Sequence, residues 1–353
     1  MAKVLMKGNE AVGAAAIKAG CKFFFGYPIT PQSEVPEYFS RELPKIGGCY
    51  LQAESEVAAI NMVYGAAGAG VRVMTSSSSP GIALKQEGIS YIAGAELPCL
   101  IVDMMRGGPG LGSIQPAQAD YYIATRGGGN GDYHTISFAP ASIQEMVDII
   151  IEGFDIADKY RNPVMVVGDG MIGQMMEPVE FRERPQRELP EKTWAANGKG
   201  DRKENNIINS LYLSAAELEE HNKHLIAKYK EIEENEIRYE VQGVEDAEIV
   251  FSAYGTTSRI CKSAIEILAE EGIKAGIVRP ISIWPYPYKA FRKIGDKCKD
   301  VLVVEMNHGQ MVEDVTIGVE GRQKVHFYGR YGGMVPTAEE IAEEAKKILG
   351  GRK

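Results

Sequence analysis

The chain has 353 residues, enough for two domains of ordinary size. Hydrophobic residues make up 44% and charged residues 25%, a globular balance, and the net charge of −9 argues against nucleic acid, since phosphate binding asks for a basic surface. No apolar run approaches the ~20 residues of a membrane span, and the start Met1-Ala2-Lys3-Val4-Leu5 is too short in apolar residues for a secretory signal.

About the first 180 residues alternate short apolar runs with helical patterns. Strands are expected at 23–27, 49–52, 71–75, 98–105, 134–139 and 163–168, with helices at 9–19, 56–69 and 142–159 between them. Strands that are apolar throughout and separated by helices imply a doubly wound parallel sheet covered on both faces. Composition shifts near Arg182, and 182–206 is polar, rich in Pro, Gly and charge, so it reads as a linker. A heavily charged helix follows at 215–236. Its Leu218, Leu225, Ile226 and Ile232 allow one packed stripe, although the helix otherwise reads as a solvated face. A second, smaller α/β unit begins near Glu248, with strands expected at 249–254, 275–278, 301–305 and 325–328. Its last helix opens on Thr337-Ala338-Glu339-Glu340, a capping box. The expected domains are therefore 1–182, a linker with a charged helix at 183–245, and 246–353.

In open parallel sheets, ligands bind outside the C-terminal ends of the strands. Three segments at such ends carry usable chemistry. Gly26-Tyr27-Pro28-Ile29-Thr30-Pro31 restricts the backbone around Thr30 with two prolines, which holds a hydroxyl at a strand exit. It also reads as a helix start, with Thr30 as N-cap and Pro31 at the first helical position. Gln52-Ala53-Glu54-Ser55-Glu56 puts two carboxylates at a strand–helix junction, followed by small residues through Gly70. Carboxylates there also suit plain helix capping. Arg106 follows an apolar run and precedes Gly107-Gly108-Pro109-Gly110. That arrangement suits bidentate capture of a carboxylate, or a surface ion pair on a mobile loop. The hydroxyl-rich turn at 75–81 lines a pocket or is a solvated turn.

Gly168-Asp169-Gly170 and Asn197 imitate a Gly-Asp-Gly…Asn metal and diphosphate signature. The lead-in to Asn197 is polar rather than an apolar strand, so no metal site is expected in this chain. Gly255-Thr256-Thr257-Ser258 opens a helix and could receive an anion on its amides. His221 and His224 lie on the charged helix and are expected to be solvated. The five cysteines, Cys21, Cys49, Cys99, Cys261 and Cys298, lie far apart. They suggest buried thiols in a reducing compartment, the cytoplasm, and without a CxxC pair they build no four-cysteine iron–sulfur cluster.

As a set, these motifs resemble the alpha subunits of 2-oxoacid:ferredoxin oxidoreductases. The resemblance runs through GYPITP (26–31), ESEVAAINMVYGAAGAG (54–70), TSSSSPGI (75–82), MRGGPG (105–110), GDG (168–170), AYGTTSR (253–259) and VRPISIWP (278–285). MKGNEA (6–11) and GDGMIGQMMEPVEF (168–181) look most like the branched-chain, 2-oxoisovalerate type. The resemblance implies a thiamine pyrimidine-binding domain followed by one like the C-terminal domain of transketolase. It implies that Glu56, rather than Glu54, is the catalytic cofactor glutamate, that Pro28 and Thr30 also contact the cofactor, and that Thr30 and Arg106 bind the substrate. The implied reaction is CoA-dependent oxidative decarboxylation of a 2-oxoacid, with electrons passing singly to ferredoxin. Thiamine diphosphate is then shared with a beta subunit that holds Mg2+ and the diphosphate. A gamma subunit and a ferredoxin-like subunit complete the complex, with the iron–sulfur clusters on partners only. A 2-oxoglutarate or other specificity, or a non-catalytic assembly subunit of the same fold, fits the same resemblance.

Overall fold

Neighbouring residues of the N-terminal strands face opposite sides and are apolar on both, so each strand needs a helical layer above and below it. The structure, a computed structural model, describes residues 3–182 and 188–351. Its N-terminal elements are β1 (Val4–Lys7), α1 (Gly8–Lys18), β2 (Phe23–Gly26), α2 (Glu34–Glu42), β3 (Cys49–Gln52), α3 (Glu56–Gly68), β4 (Val73–Ser77), α4 (Ser79–Gly94), β5 (Leu100–Met105), α5 (Tyr121–Arg126), β6 (Ile136–Phe138), α6 (Ile143–Tyr160), β7 (Val164–Asp169), α7 (Gly170–Gln174) and β8 (Met176–Val179). Then come α8 (Ala215–Asn235), β9 (Tyr239–Gln242), β10 (Ile249–Ser252), α9 (Gly255–Glu270), β11 (Ala275–Pro280), β12 (Ser282–Trp284), β13 (Asp300–Glu305), α10 (Met311–Gly318), β14 (Lys324–Gly329) and α11 (Ala338–Gly350).

The first sheet runs β12-β6-β7-β5-β4-β2-β3 and is parallel except for β12. Phe24, Met74, Leu100, Val102, Val164 and Val166 share one core with α1, α2 and α6. Phe25, Val73, Ile101, Met165 and Val167 face the other way, onto α3 and α4. This is the doubly wound arrangement that the apolar runs imply. The second sheet runs β14-β13-β10-β11-β9, parallel except for β9, with α9 and α11 on one face. Its other face joins the core of the first sheet: Val250, Val278, Val301 and Val303 belong to the cluster that holds Ile101 and Met165.

Two short strands pair across the expected domain boundaries. β12, from the second unit, pairs antiparallel with β6 of the first sheet. β9, within the segment expected as a linker, pairs antiparallel with β11. Runs of three and four residues carry too little period to be read locally. The expected boundary after residue 182 abuts residues 183–187, which lie outside the described residues, as do residues 1 and 2.

The stripe of α8 differs from expectation. Leu225, Tyr229 and Ile232 are buried, in i, i+4, i+7 spacing, whereas Leu218 and Ile226 face solvent. Nor is the helix free. His221 bonds the Gly94 carbonyl at 2.7 Å, and Glu96 receives His224 at 2.9 Å and Lys228 at 3.1 Å, so polar contacts fix α8 to the end of α4. The capping box at Thr337 forms as expected, Thr337 Oγ1 accepting from the Glu340 amide at 3.2 Å.

Candidate functional site

Five strand ends meet along the C-terminal edge of the first sheet, in the spatial order β7, β5, β4, β2, β3. Parallel pairing puts Asp169, Arg106, the serine turn after Ser77, the turn from Gly26 and the Gln52–Glu56 junction side by side.

The turn after β2 is pinned from three sides. Asn9 of α1 donates to the Pro31 carbonyl at 2.7 Å, and Gln174 of α7 donates to it at 3.0 Å. Arg106 Nη1 donates to the Thr30 carbonyl at 2.9 Å. Beneath the turn, buried Gln32 accepts from Ser76 Oγ at 2.5 Å. Thr30 is not a helix N-cap, because α2 begins at Glu34. Its side chain and Pro28 lie exposed at the strand exit.

At the next strand end the N-cap is Ser55, whose hydroxyl accepts from the Ala58 amide at 3.1 Å. That frees Glu56, the first helical residue, to turn inward. Glu56 is 7% exposed, whereas Glu54 faces solvent. The Glu56 carboxylate lies against the start of α4, not among the small residues of its own helix. A Cβ at Gly81 would come within 2.7 Å of Glu56 Oε1 and 2.0 Å of Ser77 Oγ, so only glycine leaves room for it. The Ser77 and Ser78 hydroxyls are buried with no hydrogen-bond partner among the described residues.

Arg106 is buried, which excludes the surface ion pair. Nη2 donates to the Leu111 carbonyl at 3.1 Å, and the amide donates to Ser79 Oγ at 3.0 Å. Among the described residues its buried Nε has no hydrogen-bond partner. The start of α4 thus stands between two groups: Ser79 touches Arg106 and Gly81 touches Glu56.

Behind this edge lies a charged cluster that sequence reading missed. Lys85, fully buried on α4, donates to Thr75 Oγ1 at 2.8 Å and to the Ser76 carbonyl at 2.9 Å. Burial holds its ammonium down to about 7, against the attraction of Glu56 and Asp103. Asp103 lies at the centre of β5. Burial, then the neighbouring charge of Asp120, pushes its carboxyl well above the usual range. Burial also raises Asp120, against a hydrogen bond from Ser79. Each had a signal in the sequence: Lys85 stands at i+3 from Ile82 and i−4 from Ile89 on the apolar face of α4, and Asp103 interrupts LIVDMM.

Asp169 caps α7, accepting from the Met171 and Ile172 amides at 2.8 and 3.1 Å. Burial raises its carboxyl, opposed by those two amide hydrogen bonds. Asn197 sits in an exposed loop and accepts from Arg202 at 3.0 Å. Among the described residues no group of three His, Cys, Asp or Glu side chains is arranged to hold a metal. The start of α9 is not an open anion site: Gly255–Ser258 are buried, and Gln118 Nε2 closes them by donating to the Tyr254 carbonyl at 2.9 Å. Cys21, Cys99, Cys261 and Cys298 are buried and Cys49 is half-buried; burial pushes the Cys21 and Cys99 thiols up to about 12. No helix among the described residues is long and apolar enough to cross a membrane.

Comparison with known proteins adds a chemical context. Residues 14–241 match the family model for the thiamine diphosphate-binding domain of pyruvate flavodoxin/ferredoxin oxidoreductase, and 247–341 match pyruvate:ferredoxin oxidoreductase core domain II. The chain is 49% identical over 350 residues to ketoisovalerate oxidoreductase subunit VorB of Methanothermobacter marburgensis, covering 99% of each. It is 36% identical over 367 residues to 2-oxoglutarate synthase subunit KorA of Methanocaldococcus jannaschii, covering 98% of this chain and 99% of the relative. Among solved structures it resembles 2-oxoglutarate:ferredoxin oxidoreductase from Magnetococcus marinus, with TM-score 0.87 and 30% identity. That match covers 98% of this chain and 65% of the solved one, so the chain spans a little under two thirds of it. A split gene transketolase, an inactive beta4 tetramer, shares the fold with TM-score 0.60 at 16% identity.

Proposed function

Because the chain belongs to the 2-oxoacid:ferredoxin oxidoreductase family and carries its thiamine diphosphate-binding domain, we propose that it is the alpha subunit of a cytoplasmic complex that oxidatively decarboxylates a branched-chain 2-oxoacid to acyl-CoA and CO2 while reducing ferredoxin. Residues 1–182 form the pyrimidine-binding domain in this reading, 183–245 a connection and 246–353 the transketolase C-terminal-like domain. The single observation that carries it is the convergence of Glu56, Thr30 and Arg106 on one sheet edge, beside buried serine hydroxyls without partners among the described residues.

The residues fit the pyrimidine half of the cofactor. Glu56 presents a buried carboxyl group at a cradle that any side chain at position 81 would fill. Ser77 and Ser78 offer unpartnered hydroxyls, and Pro28 contributes an apolar surface. When bound, thiamine diphosphate supplies the nucleophilic carbon that adds to the 2-oxo carbonyl and takes up the electron pair released with CO2. Glu56 holds a proton for the pyrimidine ring nitrogen, where a shared proton favours the reactive tautomer. Thr30 donates to the substrate, and the Arg106 guanidinium, oriented by the Thr30 and Leu111 carbonyls, supplies the positive charge that draws the substrate carboxylate. The Mg2+–diphosphate half, the iron–sulfur clusters and the onward transfer to external ferredoxin belong to beta, gamma and ferredoxin-like partners.

The test is CoA-dependent reduction of ferredoxin or viologen by the complex purified through a tag on this chain. Turnover of 2-oxoisovalerate above pyruvate and 2-oxoglutarate is expected. Turnover led by another 2-oxoacid would keep the reaction and change the substrate, and a complex without thiamine would point to a scaffold.

A further inference from the structure

Next to Thr30, a cleft of about 550 Å³ opens between the first sheet and the C-terminal unit. Its volume suits a small-molecule site. Thr30 lines it, with the Arg106 guanidinium behind. The same cleft is lined by Ile114, Met171 and Val335, apolar side chains brought together from three distant parts of the chain. Ile114 and Met171 remain substantially solvent-exposed, at 58% and 38%. Among the described residues that line the cleft none carries a formal charge. The amide of Gln174 is already engaged with the Pro31 carbonyl and Glu34, at 3.0 Å each.

We propose that Ile114, Met171 and Val335 receive the side chain of the 2-oxoacid, and that this wall selects a neutral branched aliphatic acid over a dicarboxylic one. The inference rests on the preceding reading of Thr30 and Arg106 as the carboxylate end. A second carboxylate pressed against this wall would lose water without gaining a cation, whereas an isopropyl group would cover exposed apolar surface. The floor sets the size limit. A Cβ on Gly170 would stand 3.2 Å from Pro31 Cγ and 3.5 Å from Pro116 N, so the absent methyl keeps the floor open. The loop that brings Val335 packs on the Arg106 loop: a Cβ on Gly333 would meet Gln115 Cβ at 2.5 Å. The specificity wall therefore depends on the docking of the C-terminal unit.

The test uses the assembled complex and compares kcat/KM for pyruvate, 2-oxoisovalerate and 2-oxoglutarate. Met171→Arg supplies the missing cation at a partly exposed position. It should raise the 2-oxoglutarate to 2-oxoisovalerate ratio by at least about tenfold, the lower end of what pocket contacts discriminate. Gly170→Ala raises the floor and should reduce kcat/KM for 2-oxoisovalerate more than for pyruvate. It decides the matter if the arginine variant fails to assemble. Both ratios unchanged in active complexes would overturn this inference and leave the reaction reading intact. A wild-type complex inert toward every 2-oxoacid would overturn both.

Discussion

Two carboxylates two residues apart have opposite fates. Ser55 takes the N-cap, so Glu54 points to water and Glu56 turns under the start of α4, where Gly81 leaves room. Glu56→Gln keeps that packing and removes the proton-sharing acid. Turnover of the complex should fall on the order of 10²–10⁴-fold while assembly, read by gel filtration, is unchanged; near wild-type turnover would contradict the role. Lys85 has the opposite task of staying buried. It is held down to about 7 against an ordinary 10.5, so between these values the unfolded chain binds a proton that the folded chain has released. Stability should therefore rise with pH across that window, as the penalty for burying the ammonium, full below about 7, disappears. Asp103 and Asp120, raised above 3.8 by burial, tilt stability the other way, from pH 3.8 upward. Lys85→Met should flatten the rise between 7 and 10.5 in melting temperature against pH. An unchanged slope would show that the lysine is not its source.

At the scale of the element, α8 shows how a polar helix is held. Its composition is that of a solvated surface, yet one stripe enters the core that holds α6 and Trp284. Leu225 is 3% exposed and Ile226 46%. Leu225→Ala should destabilise by about 2–5 kcal/mol, as for other buried leucines, and Ile226→Ala by under about 0.5 kcal/mol. Chemical denaturation of the two variants reads the difference, and equal losses would put the stripe elsewhere. Tyr229 belongs to that stripe but is neither leucine nor isoleucine. Its ring meets Trp284 edge-on at 5.7 Å, which an aliphatic count overlooks.

Over the whole molecule, the decisive feature is that two sheets share one core and one polar junction. Gln118 is buried between them. Its side chain donates to the Tyr254 carbonyl and accepts from Thr257 Oγ1 at 3.1 Å and the Met306 amide at 3.0 Å. Tyr121 adds a 2.6 Å hydrogen bond to Asp314 and a ring contact with Tyr254 at 5.6 Å. Gln118→Met keeps the bulk and strands the Met306 amide, while the Tyr254 carbonyl keeps its hydrogen bond from Thr257 Oγ1 at 2.8 Å. The loss should be about 1–3 kcal/mol, the cost of one unsatisfied buried group. Limited proteolysis should also find the connection between the units more readily cut; unchanged stability and cleavage would mean that the apolar core alone joins the sheets.

The sequence by itself determined the parallel sheet, its helices and the motifs at its strand ends, because those are local: apolar runs, helical periods and turn residues act within a few positions. It also carried the family resemblance that the relatives and family models bear out. Only the tertiary structure decided that Arg106 is buried against the Thr30 and Leu111 carbonyls, that Lys85 lies beside Asp103 and Glu56, and that Val335 reaches the cleft. It also decided that residues 282–284 complete the first sheet rather than the second. Each of these joins parts of the chain distant in sequence. No local period encodes such a pairing; the burial of two sheet faces against each other selects it.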